Sequence, residues 1–148
     1  MAAAIESRRK LLILFGTLHL VFSILGLYVI LTTVRSVGFL HDDADVPLVV
    51  ECFYAMTIIN TLFIASLALA GYRLLRSGVA AIPFSNLVTV GEIVYFFLLP
   101  VVWLVPNLRT SVASATGIGN VGIMVQGVLL YPLASLVILT NYRGRFPA

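Results

Sequence analysis

The chain has 148 residues, 61% of them hydrophobic and only 10% charged, with a net charge of +3 and a mean hydropathy of +1.10. Soluble domains carry about 25% charged residues, so this composition does not fit a secreted domain, a nucleic-acid binder or a disordered linker. An all-α integral membrane protein is expected, with little of the chain outside the bilayer.

Four apolar stretches follow one another at 11–34, 47–71, 79–105 and 117–140. Each is long enough to cross a hydrocarbon core ~30 Å thick with some tilt. The expected architecture is a polytopic four-transmembrane-helix bundle forming a single transmembrane domain over 1–148. Its helices fall at about 11–34, 47–72, 79–105 and 112–140, with an acidic outer loop at 35–46.

The first stretch is too long for a cleavable leader, and no small-residue cleavage site follows it, so it reads as a retained signal anchor. Along it Gly16, His19, Ser23 and Gly26 recur at helical spacing and form one stripe. Between the first two stretches lies His41-Asp42-Asp43-Ala44-Asp45, with Glu51 a little further on. Clustered carboxylates can hold a divalent cation, but a solvated loop in which Asp45 caps the second helix accounts for them. Pro47 falls in the first turn of that helix, where its missing N–H is harmless.

On the second stretch Thr57, Asn60 and Thr61 share a face, and Arg73, Arg76, Ser77 and Gly78 close the helix. The lone cysteine, Cys52, rules out an internal disulfide, a redox pair and a thiolate zinc cage. On the third stretch Ser85, Thr89 and Glu92 stand at i, i+4 and i+7, and Pro106 and Asn107 end the helix. The fourth has a soft start, which can reach back to Ser111. Its small or polar stripe is Ala115, Gly119, Gly122 and Gln126. Gly117, Gly119 and Gly122 match a dinucleotide-binding fingerprint in letters only, because no strand precedes them. Helix packing explains them better. Pro100 and Pro132 are expected inside helices, as kinks.

Charge sets the expected orientation. Arg8, Arg9, Lys10, Arg73, Arg76, Arg143 and Arg145 fall on one side of a four-span chain, and only Arg35 and Arg109 on the other, with the acidic loop. Basic residues collect on the cytoplasmic side, so both termini are expected there. Aromatics cluster at Phe53–Tyr54 and Tyr95–Phe97, while Tyr72, Tyr142 and Trp103 lie near expected interfaces and Tyr131 toward the inside.

Polar atoms in hydrocarbon are costly and mark faces turned into protein. At a rise of 1.5 Å per residue, Asn60, Ser23 and Glu92 come out roughly 18–20 Å from the cytoplasmic end, with Gln126 slightly higher. His19 lies at about 12 Å, one to two turns below them. These residues are the expected intramembrane polar layer, structural or proton-coupling. Gly16, Gly26, Gly119 and Gly122 are the expected helix-packing positions. No Lys or Arg lies at the depth of Glu92, so a neutral acid hydrogen-bonded to Asn60 or Gln126 is expected there.

No nucleophile–base arrangement, phosphate loop or zinc-protease motif is present, and no catalytic residue, metal or cofactor is expected. The expected function is therefore non-catalytic: a scaffold or accessory subunit of a larger complex in a cell or inner membrane. Its expected partners are the lipid bilayer and other membrane-protein subunits or further copies of itself, with no nucleic acid. Two alternatives stand beside it. One is a small proton-coupled transporter using Glu92, helped by Asn60 and Gln126. The other is a haem- or quinone-associated redox subunit with His19 as ligand, although haem held between helices usually takes two histidines.

Overall fold

The computed structural model of the chain describes residues 2–37, 49–102 and 130–144. All of the described secondary structure is helical, without a strand. It comprises α1 (Ala2–Val37), α2 (Val49–Ser77), α3 (Ile82–Val102) and α4 (Leu130–Gly144), with a 3-10 turn at Gly78–Ala81 between α2 and α3. The segment His41–Asp45, Pro47, Trp103, Arg109, Gly117, Gly119, Gly122, Gln126 and Arg145 lie outside the described residues.

Three helices overrun the apolar stretches that suggest them, α4 by running on past residue 140 to Gly144. α1 starts at Ala2 rather than near residue 11, because its first turns are rich in alanine, the strongest helix former. An exposed i, i+4 pair, Lys10 Nζ to Glu6 Oε1 at 2.8 Å, lies on those turns. α2 continues past residue 72 to Ser77 and stops where Gly78 takes φ +60°. That left-handed conformation suits glycine, which has no Cβ to clash. The 3-10 turn then leads into α3, where Pro83 occupies the first turn and no intrahelical hydrogen bond is lost. Pro100 sits within α3 and Pro132 within α4.

α1 packs along α2, α2 along α3, and α3 along α4. Each pair is antiparallel, as particular contacts show. The crossing of α1 and α2 brings Gly16 against Gly71. Late α2 meets early α3 where the Arg73 guanidinium lies 4.8 Å from the Phe84 ring centroid, and earlier α2 meets later α3 through Phe63 and Tyr95, 5.6 Å between centroids. Asn86 Nδ2 near the start of α3 donates to Thr140 Oγ1 near the end of α4, at 2.9 Å. Tyr131 of α4 lies against two rings of α1, with centroids 6.4 Å from Phe15 and 4.4 Å from Phe22.

An apolar cluster forms where the start of α1, the end of α2, the 3-10 turn and the start of α3 meet the end of α4. It contains Leu12, Phe15, Leu74, Ala81, Ile82 and Leu139, flanked by Leu11, Tyr131 and Tyr142. Away from this end the usual arrangement of a protein in water is inverted. His19, Asn60 and Glu92 are 0% exposed, whereas Ile24, Leu62, Leu87 and Phe97 are 63–70% exposed. Buried polar groups and large exposed apolar surface are the two deviations that carry information about a protein's surroundings. Two helical stretches, Arg9–Arg35 and Phe53–Tyr95, are long and apolar enough to cross a membrane, and Leu130–Tyr142 is a shorter apolar helix.

Candidate functional site

Each helix turns one seam inward, with buried positions alternately three and four residues apart. On α1 the seam runs through Leu12, Phe15, Gly16, His19, Ser23, Gly26 and Ile30; on α2 through Asn60, Ile64, Leu67, Gly71 and Leu74. On α3 it includes Ile82, Ser85, Thr89 and Glu92, and on α4 Pro132, Ser135 and Leu139. This spacing keeps a single stripe facing its neighbours along antiparallel helices. What differs between helices is where the stripe becomes polar.

His19 is the junction. Its Nε2 lies 2.9 Å from Ser85 Oγ of α3, and its Nδ1 is hydrogen-bonded to the Tyr131 hydroxyl of α4. One side chain therefore ties α1 to two other helices at once. A neutral imidazole has one donor and one acceptor nitrogen, and a hydroxyl can complement either. Both tautomers of His19 can thus be fully satisfied here. The Tyr131 ring meets the imidazole edge-on, 5.5 Å between centroids at 76°, and its hydroxyl also lies 3.5 Å from the Phe15 carbonyl, to which it can donate.

The other buried hydroxyls serve their own helices. Ser23 donates to the His19 carbonyl at 2.6 Å, Thr89 to the Ser85 carbonyl at 2.9 Å, and Ser135 to the Pro132 carbonyl at 3.1 Å. Such back-bonds satisfy a buried hydroxyl without joining helices. On α2, Thr61 does the same to the Thr57 carbonyl at 2.8 Å.

Glu92 is fully buried on the same face of α3 as Ser85, two turns further along. Asn60 enters the interior from α2, also fully buried. The buried set thus has two levels. His19, Ser85 and Tyr131 form the one nearer the apolar cluster, and Glu92 is two α3 turns beyond Ser85.

A glycine crossing positions this arrangement. A Cβ on Gly71 would stand 2.7 Å from the Gly16 carbonyl oxygen and 2.8 Å from His19 Cβ, and one on Gly16 would stand 3.1 Å from the Gly71 carbonyl oxygen. The two at Gly71 are closer than real side-chain carbons come and the third is tighter than most, so the bare backbone of α2 at Gly71 makes room for His19 on α1. Of the four glycines expected to pack, Gly16 lies at this crossing and Gly26 is buried, while Gly119 and Gly122 fall outside the described residues. Gly71 is expected from sequence only as the end of a stretch, and Tyr131 only as an inward aromatic. The three-four spacing from Asn60 to Leu74 is the signal that would have placed Gly71 on the seam. No local signal pairs Tyr131 with His19, 112 residues away.

Comparison with known protein families, with curated proteins and with solved structures finds no match to this chain. The site's own chemistry has to carry the functional argument. Among the described residues no group of three His, Cys, Asp or Glu side chains is placed to hold a metal ion. The cluster offers two hydroxyls and an imidazole in hydrogen-bond reach, which is equipment for hydrogen bonding and general acid–base chemistry.

Proposed function

We propose that this chain is an integral membrane protein of four spans, with both termini in the cytoplasm, and that it works without catalysis as a scaffold or accessory subunit of a larger membrane complex. The observation that carries the membrane placement is the inversion of polarity. His19, Asn60 and Glu92 are sealed inside, while Leu, Ile and Phe side chains face outward along α1, α2 and α3. A bilayer suits that surface and water does not. The orientation is supported by Arg9, Lys10, Arg73 and Arg76, exposed residues near the start of α1 and the end of α2, which lie at the same end of the described helices.

The non-catalytic reading rests on a buried set that joins helices and on outward faces suited to lipid or to a neighbouring subunit. Its test is affinity purification in mild detergent followed by native-gel migration and identification of what co-purifies. A larger particle containing other membrane proteins is expected, and a monomer with no companion would overturn the accessory role. A reporter fused to the C-terminus should be active in the cytoplasm. Activity on the other side would mean an odd number of spans.

A second reading, proton-coupled transport, is favoured by one feature: a fully buried carboxyl, Glu92, within the helical bundle. Reconstituted protein should then show pH-dependent flux that Glu92→Gln abolishes while folding is retained. For the redox alternative, both ring nitrogens of His19 are already hydrogen-bonded, which speaks against axial ligation of a haem iron.

A further inference from the structure

We propose that Arg73 and Arg76 on α2, held by Phe84 and Tyr72, bind the phosphate of an anionic phospholipid whose chains lie in the groove between α2 and α3. The proposal rests on the membrane placement given above and adds the class of lipid and the residues that select it.

Polarity on the outward face of α2 changes within about one turn. Ile58, Leu62 and Leu69 are exposed apolar residues. Tyr72, Arg73 and Arg76 then follow Leu69 at three- and four-residue spacing and continue its face. Both arginines are exposed, and each is held by an aromatic residue. The Arg73 guanidinium lies 4.8 Å from the Phe84 ring centroid on α3, and Arg76 Nη1 donates to the Tyr72 hydroxyl at 2.8 Å. Stacking on a ring and a single hydrogen bond leave most of the N–H donors of each guanidinium open. Two long side chains are thus partly ordered before a ligand arrives, which lowers the entropy cost of binding.

Among the described residues no carboxylate neutralises this pair. Glu6 is taken by Lys10, Glu51 lies in the first turn of α2 about six turns away, and Glu92 is sealed in the interior. The negative end of the α2 dipole and the positive end of the α3 dipole lie side by side at this level and largely cancel, so the guanidiniums set the local charge. One turn deeper, Leu69 precedes Arg73 by four residues and Leu87 follows Phe84 by three, and both are exposed. Because α2 and α3 are antiparallel, these two leucines stand at one level. Leu62 on α2 and Val94 and Leu98 on α3 continue the two outward faces, while Gly91 against the Phe63 ring and Phe63 beside Tyr95 hold the helices together. An acyl chain laid along this groove meets apolar side chains, and its headgroup reaches the guanidiniums. Their planar forks match phosphate oxygens. A zwitterionic headgroup carries the same phosphate but also a cationic ammonium, which two fixed guanidiniums repel, so a net negative lipid is selected.

The test has two stages and uses the full chain. It is first reconstituted in phosphatidylcholine vesicles and washed with alkaline carbonate. Release of the chain would overturn the membrane placement and this proposal with it. The chain in mild detergent is then titrated with phosphatidylglycerol, phosphatidylcholine or inorganic phosphate, and bound species are resolved by native mass spectrometry. The first phosphatidylglycerol should bind at least tenfold more tightly than the first phosphatidylcholine. A retained chain without that preference would overturn the lipid site alone, as would inorganic phosphate binding as tightly as phosphatidylglycerol. A basic residue near a membrane surface contributes a factor of about five, so Arg73→Gln and Arg76→Gln should each weaken phosphatidylglycerol about fivefold and leave phosphatidylcholine within twofold. Removing the same charge elsewhere at this end, with Arg9→Gln and Lys10→Gln together, should change the affinity less than twofold. An equal loss there would mean diffuse surface charge and overturn the site. Should the glutamine variants fail to fold, Arg73→Lys and Arg76→Lys, which keep the charge and lose the planar fork, should weaken phosphatidylglycerol at least twofold. Wild-type affinity in both would overturn the proposal.

Discussion

The apolar cluster where α1 begins and α2 and α4 end and the polar set next to it use the same seam and the same helices, yet they are held by different forces. Leu12, Phe15, Leu74, Ile82 and Leu139 fit by shape, whereas His19, Ser85 and Tyr131 are joined by directed hydrogen bonds. In the proposed lipid setting a leucine gains little by leaving the hydrocarbon for the protein interior, so the apolar end depends on close contact rather than on escape from water. The polar level gains from every satisfied hydroxyl and loses sharply from an unsatisfied one. Packing thus sets how closely the helices approach, and the hydrogen bonds set which groups meet.

The largest way to break this comparison is to empty the apolar end. Leu74 is 1% exposed, and Leu74→Ala should cost about 2–5 kcal/mol, read as a lowered midpoint of thermal unfolding in detergent by circular dichroism. Gly71→Ala comes next, at roughly 1–3 kcal/mol, since the new Cβ meets the Gly16 carbonyl and His19 Cβ and not a yielding side-chain tip. Because that clash displaces His19, Gly71→Ala and His19→Leu together should cost less than their sum. If the two effects simply add, the crossing does not position the histidine.

His19→Leu alone tests the polar level. It removes two interhelical hydrogen bonds, and at the roughly 0.6 kcal/mol each that such bonds average in membranes, with larger values for the best, about 1–2 kcal/mol is expected. Tyr131→Phe removes the bond to His19 and the long one to the Phe15 carbonyl, and should cost about 1 kcal/mol. An effect of Tyr131→Phe as large as that of Leu74→Ala would reverse the ranking of the two regions. The smallest change lies outside both. Glu6→Gln breaks an exposed ion pair and should shift stability by less than about 0.5 kcal/mol, an effect that vanishes in high salt.

The difference between these levels was only partly legible beforehand. The stripe Gly16–His19–Ser23–Gly26 shows in the sequence because small and polar residues stand out in a run of Leu, Val and Ile. On α2 the corresponding stripe is masked, since Ile64 and Leu67 look the same whether they face protein or lipid, and Gly71 therefore passes for a helix end. Ser23 illustrates the opposite difficulty. Its position on the seam was readable, but its hydroxyl turns back to its own helix instead of joining the layer.

Composition and periodicity by themselves determined that the chain is helical and which face of α1 and of α3 turns inward. Those properties follow from residue type and from the 3.6-residue repeat, both local in sequence. Only the tertiary structure decided that Gly71 lies under Gly16, that Tyr131 reaches His19, and that Ser85 completes the triad. Each is a meeting between helices, and it depends on crossing angle and axial offset, which packing at the glycines and the apolar end sets and which no single segment encodes.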